Sequence, residues 1–537
     1  MRKQFKQLSA LVLGASALIQ ADHRLGTSKT FFSIRPIFQD SMPEKESLWR
    51  DRALAREGGI NGAFQIVPLG GQSTQSSDIA QYFSPNSSNT IIFAEDLAEG
   101  STDLLTTAYT SADSDANGAG NPNFRDVNAI FFNIQTLDKN FKSTVTFKPR
   151  HSYAGVGLDY KQYLHRRDCC DKRWWLEVST PLEWVSNDMR LTESIQEAGI
   201  AIDGTSTSVA QAFTGVNKLV VQSAPDSVDS TVTGSGWQYG IINGARSHFA
   251  AADVTIKLGY DYLCDDCFHA DGYLGGVIPA GNKTKGVYVF EPIVGNEFHG
   301  GLMWGGTFGW EMWSSCDRYL HLELATNGRY LFPNTQVRAF DVRGKPWSRY
   351  MSVYNTDADA LDGQPIEGIN VFTQKVRVSP RFNKDINSAV VYTHHGFQGE
   401  LGYNFWAKQS EHISLKNEFP TTITFANVGG GFVQPAFEPG FINRALTIKE
   451  NFFPAAVNLD EEDPATFADL AITEEDLDLQ TAAATFAITH NFYGSIGYRW
   501  DHLCYPVCVG LGGSYELASE RGAINRWMVW GKLGVSI

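Results

Sequence analysis

The chain has 537 residues and a formal net charge of -15, from 44 basic and 59 acidic side chains. That length admits one large barrel or several soluble domains. The acidic balance, with no basic stripe, argues against a nucleic-acid partner. Beyond the first residues, no stretch reaches the roughly 18–20 apolar residues of a spanning helix.

The chain opens with Arg2, Lys3 and Lys6 before an apolar run over 8–19, and Ala21 precedes a cleavage point. This predicts a secretory signal peptide over 1–21, leaving 22–537 as a single domain. An exported chain without a spanning helix is either soluble or a barrel, since barrel strands are only half apolar. Residues 29–38 offer a first strand, with Phe31, Ser33, Arg35 and Ile37 on one face; Pro36 suits an edge or strand end. Residues 73–88 and 111–122, rich in Ser, Asn, Gly and Asp, read as loops, as does 204–236, rich in Ser, Thr and Val. Residues 459–479 are acidic, with Asp460, Glu461, Glu462 and Asp463 and then Glu474, Glu475, Asp476 and Asp478. They read as a solvated loop, with a divalent-cation site as the sharper alternative, although EF-hand spacing is absent.

Between these segments the chain alternates. Trp174, Leu176, Val178 and Thr180 alternate with Arg173, Trp175, Glu177 and Ser179, and Val254, Ile256, Leu258, Tyr260 and Tyr262 with Asp253, Thr255, Lys257, Gly259 and Asp261. The run over 484–500 keeps one greasy and one polar face for about seventeen residues, on the order of 55 Å of strand. A phrase of Gly, bulky apolar, polar, bulky apolar recurs five times, beginning at Gly157, Gly259, Gly309, Gly402 and Gly497. The copies lie roughly fifty or one hundred residues apart, as repeated hairpins would. Their two bulky residues would mark an aromatic belt at one end of a barrel. Residues 385–389 and 478–482 share an approach to the fourth and fifth copies and suggest duplicated hairpins.

The final segment places Trp527, Val529, Gly531, Leu533, Val535 and Ile537 on one face, up to the last residue. It resembles the terminal strand of Gram-negative outer-membrane β-barrel proteins, with Ile537 where that class usually ends in Phe or Trp. The resemblance is architectural and points to no specific porin family. It implies recognition by the barrel insertion machinery, closure against the first strand, and a place in outer-membrane lipid. The fold expected is an all-β transmembrane antiparallel up-and-down barrel of 12–16 strands, best estimated at 14. Short turns would lie on one side and long loops on the other.

All seven cysteines follow copies of the phrase: Cys169 and Cys170, Cys264 and Cys267, Cys316, and Cys504 and Cys508. Export makes them disulfide candidates, with Cys264–Cys267 and Cys504–Cys508 able to close tight turns and cross-turn bridges equally open. Cys264, Cys267 and His269, with His165 and His502 near other cysteines, carry ligand types that zinc accepts, but no second pair at finger spacing completes a site.

No Gly-x-Ser-x-Gly elbow, His-Glu-x-x-His or phosphate-binding glycine loop is present, so the expectation is a non-enzyme without cofactor or metal. His321 with Glu323, or His394 with His395, are the residues a hydrolase would use; lining a wet interior is the plainer reading. The leading function is a porin-like channel for passive diffusion of small hydrophilic solutes with mild cation preference. Its pore would be lined by Asp253, Thr255, Lys257, Asp261, Gln398, Glu400, Asn404, Asn491, Arg499 and Glu516. The aromatic girdle would comprise Tyr260, Tyr262, Trp310, Tyr403, Phe405, Tyr498 and Trp500. The alternatives are a structural surface barrel and an exported soluble β-propeller or lectin-like protein. Homo-oligomer formation is left open.

Overall fold

A computed structural model describes residues 28–48, 61–94, 126–134, 140–164, 172–201, 205–216, 235–264, 267–355, 366–420 and 472–537, with short pieces at 136, 220–222, 230–232 and 423–425. The expected signal peptide at 1–21, the expected loop at 111–122, Cys169 and Cys170, and most of 459–479 lie outside these residues.

Period-two alternation builds the wall. Twelve strands form it: β1 (Gly62–Ser73), β2 (Arg150–Tyr163), β3 (Trp174–Asp188), β4 (Val254–Cys264), β5 (Phe268–Ile278), β6 (Gly301–Ser315), β7 (Arg318–Leu331), β8 (Arg381–His394), β9 (Phe397–Lys408), β10 (Ala487–Trp500), β11 (Val507–Ala518) and β12 (Arg526–Ser536). Each pairs antiparallel with its neighbour in this order, and β12 closes on β1 from Ala63↔Ser536 to Ser73↔Arg526. A propeller would hold separate radial sheets; one closed sheet excludes it. An additional strand, Arg246–Ala251, continues the line of β4 along β3 after a break at Ala252 and Asp253. Twelve is within the expected range and two below its best estimate. The difference comes from stretches such as 29–38, which read as a first strand but form none.

The strands present apolar side chains outward: Leu401 is 73% exposed, Leu274 72% and Leu511 66%. A continuous apolar belt on a closed barrel suits hydrocarbon as its solvent, where every backbone group is already paired within the sheet. No helix among the described residues is long and apolar enough to cross a membrane.

The two ends differ. Short connections at 316–317, 395–396 and 501–506 form one end, here the rim, where Tyr163 of β2 and Cys264 of β4 also end their strands. Most of the long segments leave from the other and condense into a cap with its own core. Phe93, Phe132, Phe213, Trp237, Trp347 and Tyr350 are buried there in edge-to-face and stacked pairs, such as Phe132–Trp237 at 5.5 Å and Trp237–Tyr350 at 4.8 Å between ring centroids. Segment 73–88, expected as loop, carries a helix at Ser76–Phe83 whose Ile79 and Phe83 enter this core. Segment 204–236 contributes Phe213. The two approaches at 385–389 and 478–482 are not duplicates: the first lies within β8, the second in a 3-10 turn of the cap.

Candidate functional site: a plugged lumen

Residues 28–48 enter the barrel from the cap and run down its interior. At the cap, Lys29 N donates to Tyr82 O and Thr30 N to Thr481 O, each at 2.9 Å. Phe31 lies beneath the Arg338 guanidinium, 3.2 Å from its ring centroid. Arg338 in turn pairs with Glu297 at 2.7 Å and Glu411 at 3.0 Å. Towards the rim, Leu48 N donates to Glu400 Oε2 at 2.9 Å. Between these anchors the segment makes one short helix, Pro43–Glu46, started by a proline whose missing N–H costs nothing at that position.

Two ionic clusters tie this plug to the wall. In the first, Arg35 meets Asp385 at 2.6 Å, Glu516 at 2.8 Å and Asn404 Oδ1 at 2.8 Å, and Arg526 joins Glu516 at 2.5 Å. In the second, Asp40 accepts from Lys45 at 2.5 Å, Lys257 at 2.6 Å and Arg329 at 3.1 Å. Lys45 and Lys257 also share Glu177, at 2.9 and 2.6 Å. Asp40, Lys45, Arg35 and Glu516 are all buried. Charges removed from water this completely persist only when opposite charges face them, as in both clusters, although Arg35 Nε, Arg329 Nε and Arg526 Nη2 meet no hydrogen-bond partner among the described residues.

The glycines of the repeated phrase have a steric role. A Cβ on Gly157 would collide with the ring of Phe38, on Gly259 with Trp175, on Gly309 with the ring of His269, and on Gly402 with Tyr493. Gly497, with Gly510, makes the seat of Leu48. Two of the five thus cradle the plug, and three cradle rings from neighbouring strands. Four copies fall towards the rim on descending strands, whereas Gly402 lies midway along the ascending β9. Tyr403 and Phe405 therefore point to the cap half, where Tyr403 donates to or accepts from His490 at 2.7 Å. Tyr260, Tyr262, Trp310, Tyr498 and Trp500 lie in the rim half. The expected single belt at one end is corrected to aromatics in both halves.

Each expected lining residue sits on the inward set of its strand, except Asp253, which lies in the break before β4. Lys257 is in the second cluster, and Asn404 and Glu516 are in the first. Asp253 is buried against Asn296, whose backbone N–H donates at 2.8 Å; Thr255 meets Ser179 at 2.7 Å. Glu400 accepts from Leu48 and from Tyr493 at 2.9 Å. Gln398 and Asn491 are buried, Asp261 lies 3.9 Å from Arg173, and Arg499 pairs with Asp501 at 2.7 Å near the rim. The sequence reading missed the residues the plug uses most: Asp159, Glu177, Arg329, Asp385, Arg526 and Lys532. Their signal was there, because each is a charged residue at a polar-face position of an alternating run.

Other expected chemistry separates in space. Cys264, Cys267 and Cys316 are exposed free thiols and Cys508 is a buried one. The bridges Cys264–Cys267 and Cys504–Cys508 are therefore not formed. Cys508 points inward beside Ala63, while Cys504 is exposed in the turn. Among the described residues no group of three or more His, Cys, Asp or Glu is placed to hold a metal ion. Glu323 faces His269 at 3.4 Å and His321 stacks on Tyr319, while the ring centroids of His394 and His395 lie 4.3 Å apart, with His395 3.9 Å from Asp317.

No protein-family model and no curated protein sequence matches the chain. Among solved structures it is similar to an outer membrane channel of Pseudomonas putida F1, at 8% identity and TM-score 0.37, covering 91% of this chain and 98% of that one. It is also similar to the transport unit of the autotransporter AIDA-I of Escherichia coli, at 7% identity and TM-score 0.27 over 89% and 91%. A FadL homologue of Pseudomonas aeruginosa gives 7% identity and TM-score 0.25 over 89% of each chain.

Proposed function

We propose that this chain is an outer-membrane channel for small hydrophilic solutes, exported by its leader and held closed by its own residues 28–48. The observation that carries this reading is the chemistry of the plug: beside the apolar cluster that Ile37 and Phe38 share with wall residues such as Val67, Leu69 and Trp530, its cationic side chains are held by buried charge pairs. A barrel needing only a filled interior gains more from hydrophobic residues, since buried ion pairs are often no better than well-packed apolar ones. A charged wall, by contrast, rehydrates readily once the plug leaves. Solutes would then pass without energy input, and no covalent chemistry is required of the wall.

Mild cation preference is supported by the balance on β2 to β5, where Asp159, Glu177, Glu183, Asp253, Asp261 and Asp271 face Lys161 and Lys257. Carboxylates lining a narrow wet tube favour cations. The test is conductance in planar bilayers of the full chain and of a chain lacking 28–48, each shown to be folded by heat-modifiable gel mobility. The full chain is expected to conduct little and the shortened one well, with a reversal potential towards that of the cation. Anion selectivity would remove the preference, and silence from both would remove the channel.

The cap favours a second reading, a surface barrel that presents a folded cap for contact with other molecules. Silence of both folded chains in the same bilayers selects it.

A further inference from the structure

Two plug residues meet the wall in the same manner. The Lys45 ammonium lies 2.9 Å from Glu177 Oε1 and 3.4 Å from Asp159 Oδ1 on the wall, while its own carbonyl oxygen accepts from Lys532 Nζ at 2.9 Å. The Arg35 guanidinium pairs with Asp385 and Glu516, while its own carbonyl oxygen accepts from Arg526 Nη1 at 2.9 Å. In both places the wall grips one residue at two points: carboxylates take the cationic end and a cation of β12 takes the main-chain oxygen. A free basic amino acid carries those two groups at the same separation. Its carboxylate is also a stronger partner for Lys532 or Arg526 than a neutral amide carbonyl is, because both members of the hydrogen bond are charged.

We propose that these two wall positions are solute sites for basic amino acids and short peptides bearing Lys or Arg, and that Lys45 and Arg35 are built-in competitors for them. The transport side of this idea rests on the channel reading above; the binding side does not. Neutral isosteres, norleucine for lysine and citrulline for arginine, would withdraw one of the two cations from Glu177 and from Glu516, leaving them Lys257 and Arg526 alone, and be disfavoured on that ground.

The experiment uses two chains: one lacking 28–48, which frees both ends of each site, and the full-length variant Arg35→Ser with Lys45→Ser, which keeps the plug backbone on Arg526 and Lys532 and frees the carboxylate end alone if the shorter chain does not fold. Thermal unfolding midpoints are followed in detergent at constant ionic strength as L-lysine or L-arginine is added. Either amino acid is expected to raise the midpoint at a concentration at least about tenfold below that needed for its neutral isostere, by the selectivity of sites built for a specific charged group. The unaltered chain, whose sites are filled, should need at least as large an excess. The response should weaken on Lys532→Met, or on Asp159→Asn with Glu177→Gln, which alter one site, and vanish when Lys532→Met is combined with Arg526→Met, which alters both. Equal responses to lysine and norleucine, and to arginine and citrulline, would overturn the proposal. Potassium current through the plug-less chain separates the two ideas. Current insensitive to lysine, together with no midpoint response, removes the sites and leaves the channel. No current together with a lysine-specific midpoint shift removes the channel and leaves the sites.

Discussion

The lumen and the cap bury their chain by different means. In the cap, Phe93, Phe132, Phe213, Trp237 and Tyr350 pack ring against ring, and charge meets the plug at Arg338 with its two glutamates and at the Arg349–Asp341 pair, where Ser28 donates to Asp341. In the lumen ion pairs and hydrogen bonds dominate the grip on Arg35, Asp40 and Lys45, beside an apolar cluster around Ile37 and Phe38 and a seat of glycines under Phe38 and Leu48. Apolar packing is non-directional and is lost only by unfolding. A charge pair is directional and has an alternative partner in water or in another ion. The proposed opening of the channel would use this difference, releasing the plug while the cap stays folded.

The sharpest way to break this contrast is to strip the plug of its shared anion. Asp40→Leu leaves Lys45, Lys257 and Arg329 around an apolar group, which should cost about 3–5 kcal/mol, the usual penalty for unpairing buried charge. Denaturant titration of the detergent-solubilised barrel measures it, and bilayer conductance should rise in the same variant. The cap counterpart is Phe132→Ala, expected to cost about 3 kcal/mol through the cavity left among its aromatic neighbours. Here the loss should appear as faster proteolysis of the cap, with the conductance of the plugged state unchanged. A rise in conductance equal to that of Asp40→Leu would erase the distinction between the regions. Next, Gly157→Val removes the seat of Phe38 and should cost about 1–3 kcal/mol by overpacking. Increased solvent quenching or cleavage within 28–48 would report it.

The smallest effect expected is acid loosening of the cap. Burial raises the Glu411 carboxyl, but Arg338 and then Lys408 outweigh it and hold the group below its ordinary value. Burial lowers His299, against the pull of Glu297, so it stays neutral in the fold. Both signs agree. A depressed carboxylate contributes stability above its unfolded value that is lost as pH falls through the folded one. A depressed imidazole likewise favours the unfolded chain once pH drops below its ordinary value near 6.5. Limited proteolysis between pH 7 and 4 should therefore cut the cap before the strands; simultaneous cutting would contradict this.

The wall was legible because alternation is a local signal that survives without knowledge of neighbours. At β10 the inward set Thr489, Asn491, Tyr493 and Ser495 is buried, and the outward set includes Phe492 and Ile496 at 54% and 59% exposure, as the odd and even positions of the sequence divide. The terminal strand closed the barrel for the same reason. The plug was not legible. Residues 29–38 alternate loosely, and their aromatic and charged residues are satisfied by partners hundreds of positions away, such as Arg35 with Asp385 and Glu516. The cap was hidden because its buried rings, Phe213 and Trp347 among them, come from segments with no period at all. The phrase was visible as a repeat, but its glycines could not be understood until the rings lying on them were seen.

Segment 28–48 joins the two ends of the molecule, and this has a consequence for how the protein is made. Its far end is fastened inside the cap by Phe31 and Phe32, while the chain that follows Leu48 leads to β1 at the rim. β1 is also half of the seam with β12. A stretch fastened at one mouth and continuous with the seam at the other is most simply laid down before that seam is zipped. The last hydrogen bonds of the barrel, between the first and the final strand, then seal in a part of the chain that was synthesised before either of them.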